Sequence, residues 1–245
     1  MRRSLNRLKG YTIRATDGEC GHVDDVYFDD GSWSVRYLVV NTGGGWAGRK
    51  VLVSPPSLGR PDGESRTFPV RLTMDQVRNS PSIDTDMPVS RQHAVGSHWE
   101  YPWPVNWCES LLFPMGPCAV MSLSPVAVRA RGFEQAKRNV PSPATGDPHL
   151  RSLRRVTGYE VLAEDGGAGY VRDFIVDDRD WGIRALVVDT GNWLSSRRVL
   201  VAPEKIARVS WAKAGVLVRM TRDSIRDAPE FDPSKPVHPD DEGNL

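Results

Sequence analysis

The stretch GYTIRATDGECGHVDD at residues 10–25 returns without a gap as GYEVLAEDGGAGYVRD at residues 158–173. Gly10-Tyr11 recurs as Gly158-Tyr159, Asp17-Gly18 as Asp165-Gly166, and Gly21, Val23 and Asp25 as Gly169, Val171 and Asp173. The same spacing carries on. Asp29-Asp30 matches Asp177-Asp178, Trp33 matches Trp181, Arg36 with Leu38-Val39-Val40 matches Arg184 with Leu186-Val187-Val188, and Val51-Leu52-Val53 with Pro55 matches Val199-Leu200-Val201 with Pro203. Further on, Thr73, Asp75, Val77 and Arg78 correspond to Thr221, Asp223, Ile225 and Arg226. A recurrence this long at one spacing means that a single supersecondary unit occurs twice.

The unit reads as short strands parted by turn residues. Strands are expected at residues 11–15, 22–28, 34–41 and 51–53, with one more before Thr73, and at the equivalent places in the second copy. Asp17-Gly18 supplies a turn that can take positive φ. Asp29-Asp30-Gly31-Ser32 and Asp177-Asp178-Arg179-Asp180 suit hairpin connections. Pro55 and Pro203 should take the chain out of the sheet. Thr73 and Gln76 have capping-box spacing, opening a short helix before Pro81, and Thr221 with Ser224 makes a weaker version. Five or six short strands in roughly 80 residues would leave exposed edges in a flat sheet, so closure into a small barrel is expected. Gly10, Gly21, Gly158 and Gly169 are expected at bends or close backbone approaches. The copies are placed at residues 5–88 and 151–236, with a linker at 89–150 rich in Pro and Trp and a disordered tail at 237–245.

The set just described resembles the PRC-barrel family, and does so twice, over residues 5–88 and 153–236. Its elements are Gly-Tyr, Asp-Gly, Gly-x-Val-x-Asp, an acidic turn, Arg36-x-Leu38-Val39-Val40, and Val51-Leu52-Val53-x-Pro55. Asp84, Asp86, Pro88, Val89, Ser90 and Arg91 with the Trp/Pro segment beyond them also look like tandem bacterial members. That family includes the cytoplasmic domain of the photosynthetic reaction-centre H subunit and the C-terminal domain of bacterial ribosome-maturation factors. The resemblance implies a mainly β fold of two small PRC-type β-barrels in tandem, each with a short C-terminal helix. It further implies a cytoplasmic protein-interaction or scaffold module without a shared catalytic centre. A second expectation comes from the H subunit: a peripheral component at the inner face of the membrane, associated with a photosynthetic or other electron-transfer complex.

Composition narrows the partners. The 245 residues hold 32 Lys and Arg against 31 Asp and Glu, a net charge of +1, so a general polyanion binder is disfavoured and no direct nucleic-acid contact is expected. The basic start, Arg2, Arg3, Arg7 and Lys9, reads as a solvated terminus. Cys20, Cys108 and Cys118 are odd in number and lack metal-site spacing, which suits a reducing cytoplasm. The apolar run at 111–128 is broken by Pro114, Pro117 and Pro125, against a membrane-spanning helix.

No nucleophile elbow, phosphate loop, dinucleotide fingerprint or zinc spacing occurs, so no catalytic residue, cofactor or metal ligand is assigned. A hydrolase built on the Asp clusters would need those carboxylates to converge in a pocket. Asp24, Asp25, Asp29 and Asp30 offer oxygens for a hard cation, but the closing Glu of a calcium loop is missing, so hairpin solubility is the preferred reading. His22 becomes Tyr170 and reads as strand surface, and Cys20 becomes Ala168 and reads as small packing. His93 and His98 fit no ligand pattern. Trp33 and Trp181 are expected to pack inward. Trp99, Tyr101, Trp103 and Trp107, interleaved with Pro102 and Pro104, are expected to form an interaction surface, either docked between the barrels or facing a partner. The partner is expected to be a protein, with the barrels held as an intramolecular pair.

Overall fold

A computed structural model describes residues 1–43, 48–89, 147–191 and 197–232. In chain order the elements are β1 (Arg2–Ser4), α1 (Leu5–Leu8), β2 (Thr12–Ala15), β3 (Gly18–Asp29), β4 (Ser34–Asn41), β5 (Lys50–Val53), β6 (Thr67–Pro69) and α2 (Met74–Arg78). The second copy holds β7 (Leu150–Ser152), α3 (Leu153–Val156), β8 (Glu160–Ala163), β9 (Gly166–Asp177), β10 (Ile183–Asp189), β11 (Arg198–Val201), β12 (Ile206–Ser210), β13 (Gly215–Val218) and α4 (Arg222–Arg226). The fold is mainly β, with one sheet per copy and a few short helices.

The first sheet runs β5-β4-β3-β2-β6 and the second β11-β10-β9-β8-β13-β12. Neighbours are antiparallel except β2 with β6 and β8 with β13. Closure by hydrogen bonds is not found: among the described residues no ladder joins β5 to β6 or β11 to β12. Proline explains one end of each path. Pro55 and Pro203 follow β5 and β11, have no N–H to extend a ladder, and start the 3-10 turns Pro55–Ser57 and Pro203–Lys205. In the first copy the equivalent of β12 is reduced to the isolated bridges Leu58 to Val70 and Asp62 to Thr67, where Pro61 replaces Val209.

β3 is longer than the sequence pattern indicates because Gly21 lets the strand bend without ending. At Gly21 φ is 74°, and an added Cβ would lie 2.0 Å from the Asn41 carbonyl oxygen; at Gly169 φ is 133° and the distance to the Asp189 oxygen is 2.1 Å. Only a residue without a side chain allows that approach. Thr73 and Gln76 form the complete capping box of α2, whereas α4 has only the Thr221 hydroxyl accepting from the Ser224 N–H.

Both sheets contribute to one cluster of buried apolar side chains that runs through Val26, Phe28, Leu38 and Phe68 of the first copy and Phe174, Leu186 and Val216 of the second. Phe28 meets Phe174 at a ring-centroid distance of 5.0 Å. The duplicated units share a core across their junction.

Candidate interaction site

The junction is built from residues that occur in both copies. Each N-terminal strand leaves its own copy and pairs with the other's long strand: β1 lies antiparallel on β9, with Ser4 opposite Ile175, and β7 lies antiparallel on β3, with Ser152 opposite Tyr27. The Asp30 N–H donates to the His149 carbonyl, and the Asp178 N–H to the Met1 carbonyl, each at 3.0 Å. Between the strands the hairpin ends cross as well, since the Val35 N–H donates to the Trp181 carbonyl and the Ile183 N–H to the Trp33 carbonyl.

Two reciprocal carboxylates hold the exchanged strands. Asp25 accepts from the Ser152 hydroxyl at 2.5 Å and from the Arg154 and Val26 N–H groups at 3.0 and 2.8 Å. Asp173 accepts from the Ser4 hydroxyl at 2.5 Å and from the Asn6 and Phe174 N–H groups at 3.0 and 2.7 Å. Each serine also accepts from the backbone N–H three residues on, so one hydroxyl caps a short helix while donating across the junction. A second tier is charged: Arg151 Nε donates to Asp30 at 2.6 Å and Arg3 Nε to Asp178 at 2.8 Å, with the Asp178 side chain 1% exposed.

Burial acts on these groups in opposite senses. It pushes the Asp25 and Asp173 carboxyls above the usual range, and their hydrogen bonds offset only part of that. Burial also pushes Asp178 up, but there the Met1 amine and Arg3 outweigh it and hold the carboxyl below the usual range.

These placements correct two sequence readings. The basic start is not a solvated terminus, because Arg2–Ser4 is a strand in the other copy's sheet. The acidic group is not simply a soluble hairpin, because Asp25 and Asp29 are buried and Asp30 is tied to Arg151 and His149. Asp24 bridges Lys50 and Arg154 at 2.9 Å each, and Asp29 accepts from the Gly31 and Ser32 N–H groups in the turn. Each of the four carboxylates is thus taken up by protein donors, Asp24 and Asp25 both by Arg154, and among the described residues no group of His, Cys, Asp or Glu is placed to hold a metal. The missed signal lay in plain view: Arg3-Ser4-Leu5 repeats as Arg151-Ser152-Leu153.

Trp33 and Trp181 point inward with positive φ at the hairpin ends. Trp181 is 6% exposed and stacks on Phe68 of the first copy at 5.6 Å, while Trp33, less buried, stacks on Phe28 at 5.9 Å. Gly10 and Gly158 also have positive φ but open surroundings. Cys20 is buried and unbonded, and its thiol is pushed up by burial. Trp99, Tyr101, Trp103 and Trp107, the linker histidines and residues 237–245 lie outside the described residues.

Beside the junction, on the α1 side, opens a cleft of about 840 Å³. Its cations come from separate segments: Arg7 and Lys9 around α1, Arg66 before β6, Arg172 on β9 and Arg198 on β11. Leu8, Ile175 and Val187 form an apolar floor and Phe231 stands at the side. Asp173 is the one acidic side chain in the lining, and it is already committed to Ser4 and Asn6. Arg172 is held by Asp189 at 3.1 Å and Arg66 lies over the Tyr11 ring at 5.7 Å. Burial lowers the pKa of Lys9 against the pull of Asp25.

Beside α3 a space of only about 10 Å³ is lined by Arg155, Tyr159 and Trp211, the last standing where the first copy has Gly63. There Ala214 replaces Arg66, Thr157 replaces Lys9, and Asp24 replaces Arg172. No helix among the described residues is long and apolar enough to cross a membrane.

A family model described as PRC-barrel domain matches residues 2–67 and again residues 148–220, together more than half of the chain. No curated protein matches the chain.

Proposed function

Because this chain belongs to the PRC-barrel family, with two copies in tandem, we propose that it works by binding another protein, as a non-enzymatic interaction or scaffold module in the cytoplasm. One observation carries this reading: polar residues repeated in both copies bond across the junction. Asp25 and Ser152, Asp173 and Ser4, Asp30 and Arg151, and Asp178 and Arg3 each find one another at 2.8 Å or less. Carboxylates that accept three hydrogen bonds within a packed junction serve position better than proton transfer, which needs access to a reacting group. The outcome is a platform fixed by two reciprocal strand exchanges, as a preorganised binding surface requires.

The test is in-cell crosslinking of the tagged chain, followed by fractionation into soluble and membrane pools. The proposal expects one protein partner to be captured in constant ratio, whichever pool holds it. Capture that persists after Trp181→Ala, which removes the stacking on Phe68, would show that the assembled platform is not what the partner recognises. Recovery solely with membrane electron-transfer proteins would favour the peripheral-complex reading.

A further inference from the structure

We propose that the basic cleft beside α1 is the docking site, and that its ligand is an acidic peptide segment of the partner protein in which carboxylates alternate with apolar side chains. The inference rests on the interaction reading above and names its surface and ligand chemistry. Three features carry it.

The first is uncompensated charge. Among the described residues Arg7, Arg66 and Arg198 have no carboxylate partner, although the chain as a whole balances 32 cations with 31 anions. Cations gathered around a concave surface focus positive potential there and attract anionic ligands. The second is form. A volume of about 840 Å³ exceeds what one inorganic anion needs, and the cations sit on α1, β9, β11 and the segment before β6, so they suit several carboxylates along an extended chain. Phe231, part-exposed over the buried Ile175 and Val187, suits an apolar side chain between the cations, and nucleic acid would call for a longer basic stripe with stacking platforms.

The third feature is the asymmetry of the duplication. The copy-two equivalent keeps the junction but not the cleft's lining: Trp211 takes the place of Gly63 and leaves only about 10 Å³ beside α3, Ala214 replaces Arg66, and Asp24, in place of Arg172, bridges Lys50 and Arg154. The molecule therefore carries its own control. A Cβ at Gly63 would meet nothing closer than the Tyr11 hydroxyl at 4.0 Å, so Gly63→Trp can be introduced without backbone strain and would imitate the filled side.

The experiment uses the full chain and fluorescein-labelled peptides that alternate Glu with Leu, with Lys-Leu peptides and single-stranded DNA as comparisons. Glu-Leu peptide binding is expected to be saturable and to weaken steeply with added salt. Gly63→Trp and the pair Arg66→Gln/Arg198→Gln are each expected to weaken it by roughly tenfold or more, with thermal melting unchanged. Arg155→Gln, beside the filled equivalent, is expected to change it less than about twofold. The proposal is overturned if the cleft variants bind the peptide as the parent does, or if single-stranded DNA binds more tightly and is equally sensitive to them. It is also overturned if a chain ending at Asp232 binds the peptide much more tightly, since the acidic residues at 240–242 would then be the occupant. If these variants leave in-cell capture of a protein partner intact, the cleft assignment fails and the interaction reading stands.

Discussion

The surroundings of α1 and α3 start from equivalent sequence and end in different structures. Ser4 and Ser152 cap the two helices in the same way and donate to equivalent carboxylates on opposite copies. One turn away the likeness stops: Gly63, Arg66, Lys9 and Arg172 surround one helix, and Trp211, Ala214, Thr157 and Asp24 the other. Arg3, Ser4, Asp25 and Asp30, which bond across the junction, all recur in the second copy, whereas Lys9, Gly63, Arg66 and Arg172, which set the cleft apart, do not. A duplicated unit has to keep the contacts by which each half completes the other, whereas a binding surface is needed on one side only.

The first way to break this comparison is at the tryptophans. Trp181→Ala should destabilise the chain by about 3–5 kcal/mol, because a buried ring stacked on the other copy leaves a cavity at the junction. Trp33→Ala, from a less buried site, should have clearly less effect in urea titration, and equal losses would mean that both rings carry the junction alike.

Next come the carboxylates. Asp25→Ala strands the Ser152 hydroxyl and two N–H groups, and should destabilise by about 3 kcal/mol. Asp173→Ala should match it to within about 0.5 kcal/mol if the clamps are equivalent. Gly21→Ala places a Cβ against a carbonyl oxygen and should destabilise by about 2–3 kcal/mol. Gly158→Ala, where nothing lies within 4 Å, should give only the smaller penalty of positive φ, about 1 kcal/mol.

The smallest effect sharpens the comparison within one clamp. Asp173 has a raised folded pKa, so its ionised form works against folding at neutral pH. That penalty is relieved as pH falls through the folded pKa, and fully so below the ordinary Asp value of about 3.9. Asp178 has a lowered folded pKa, so its contribution is present above the ordinary value and is lost as pH falls through the folded one. Acidification should therefore stabilise the parent relative to Asp173→Asn, and destabilise it relative to Asp178→Asn. Urea midpoints across a pH series check both signs, and shifts of one sign for both would contradict the assignment.

Much of the fold was legible because its determinants are local. Asp29 and Asp177 accept from turn N–H groups, Gly21 and Gly169 sit where the backbones touch, and the capping box closes as its spacing predicts. Closure by a hydrogen-bonded ladder is not found among the described residues, and sequence shows strands but not whether the two ends of a path meet. The strand exchange went unread for a physical reason: three residues of β1 carry no alternation of their own, and what they pair with lies in the other copy. The cleft was less legible still, because Gly63 and Arg66 matter only through their distance in space from Arg172 and Arg198.

The central claim is that the two copies form one cooperative unit, each completed by the other's first strand. Hydrogen exchange across a urea titration, followed separately for amides of β3 and β9, tests it most directly. Coincident midpoints for both strands are predicted; β9 remaining protected after β3 has exchanged would contradict the account.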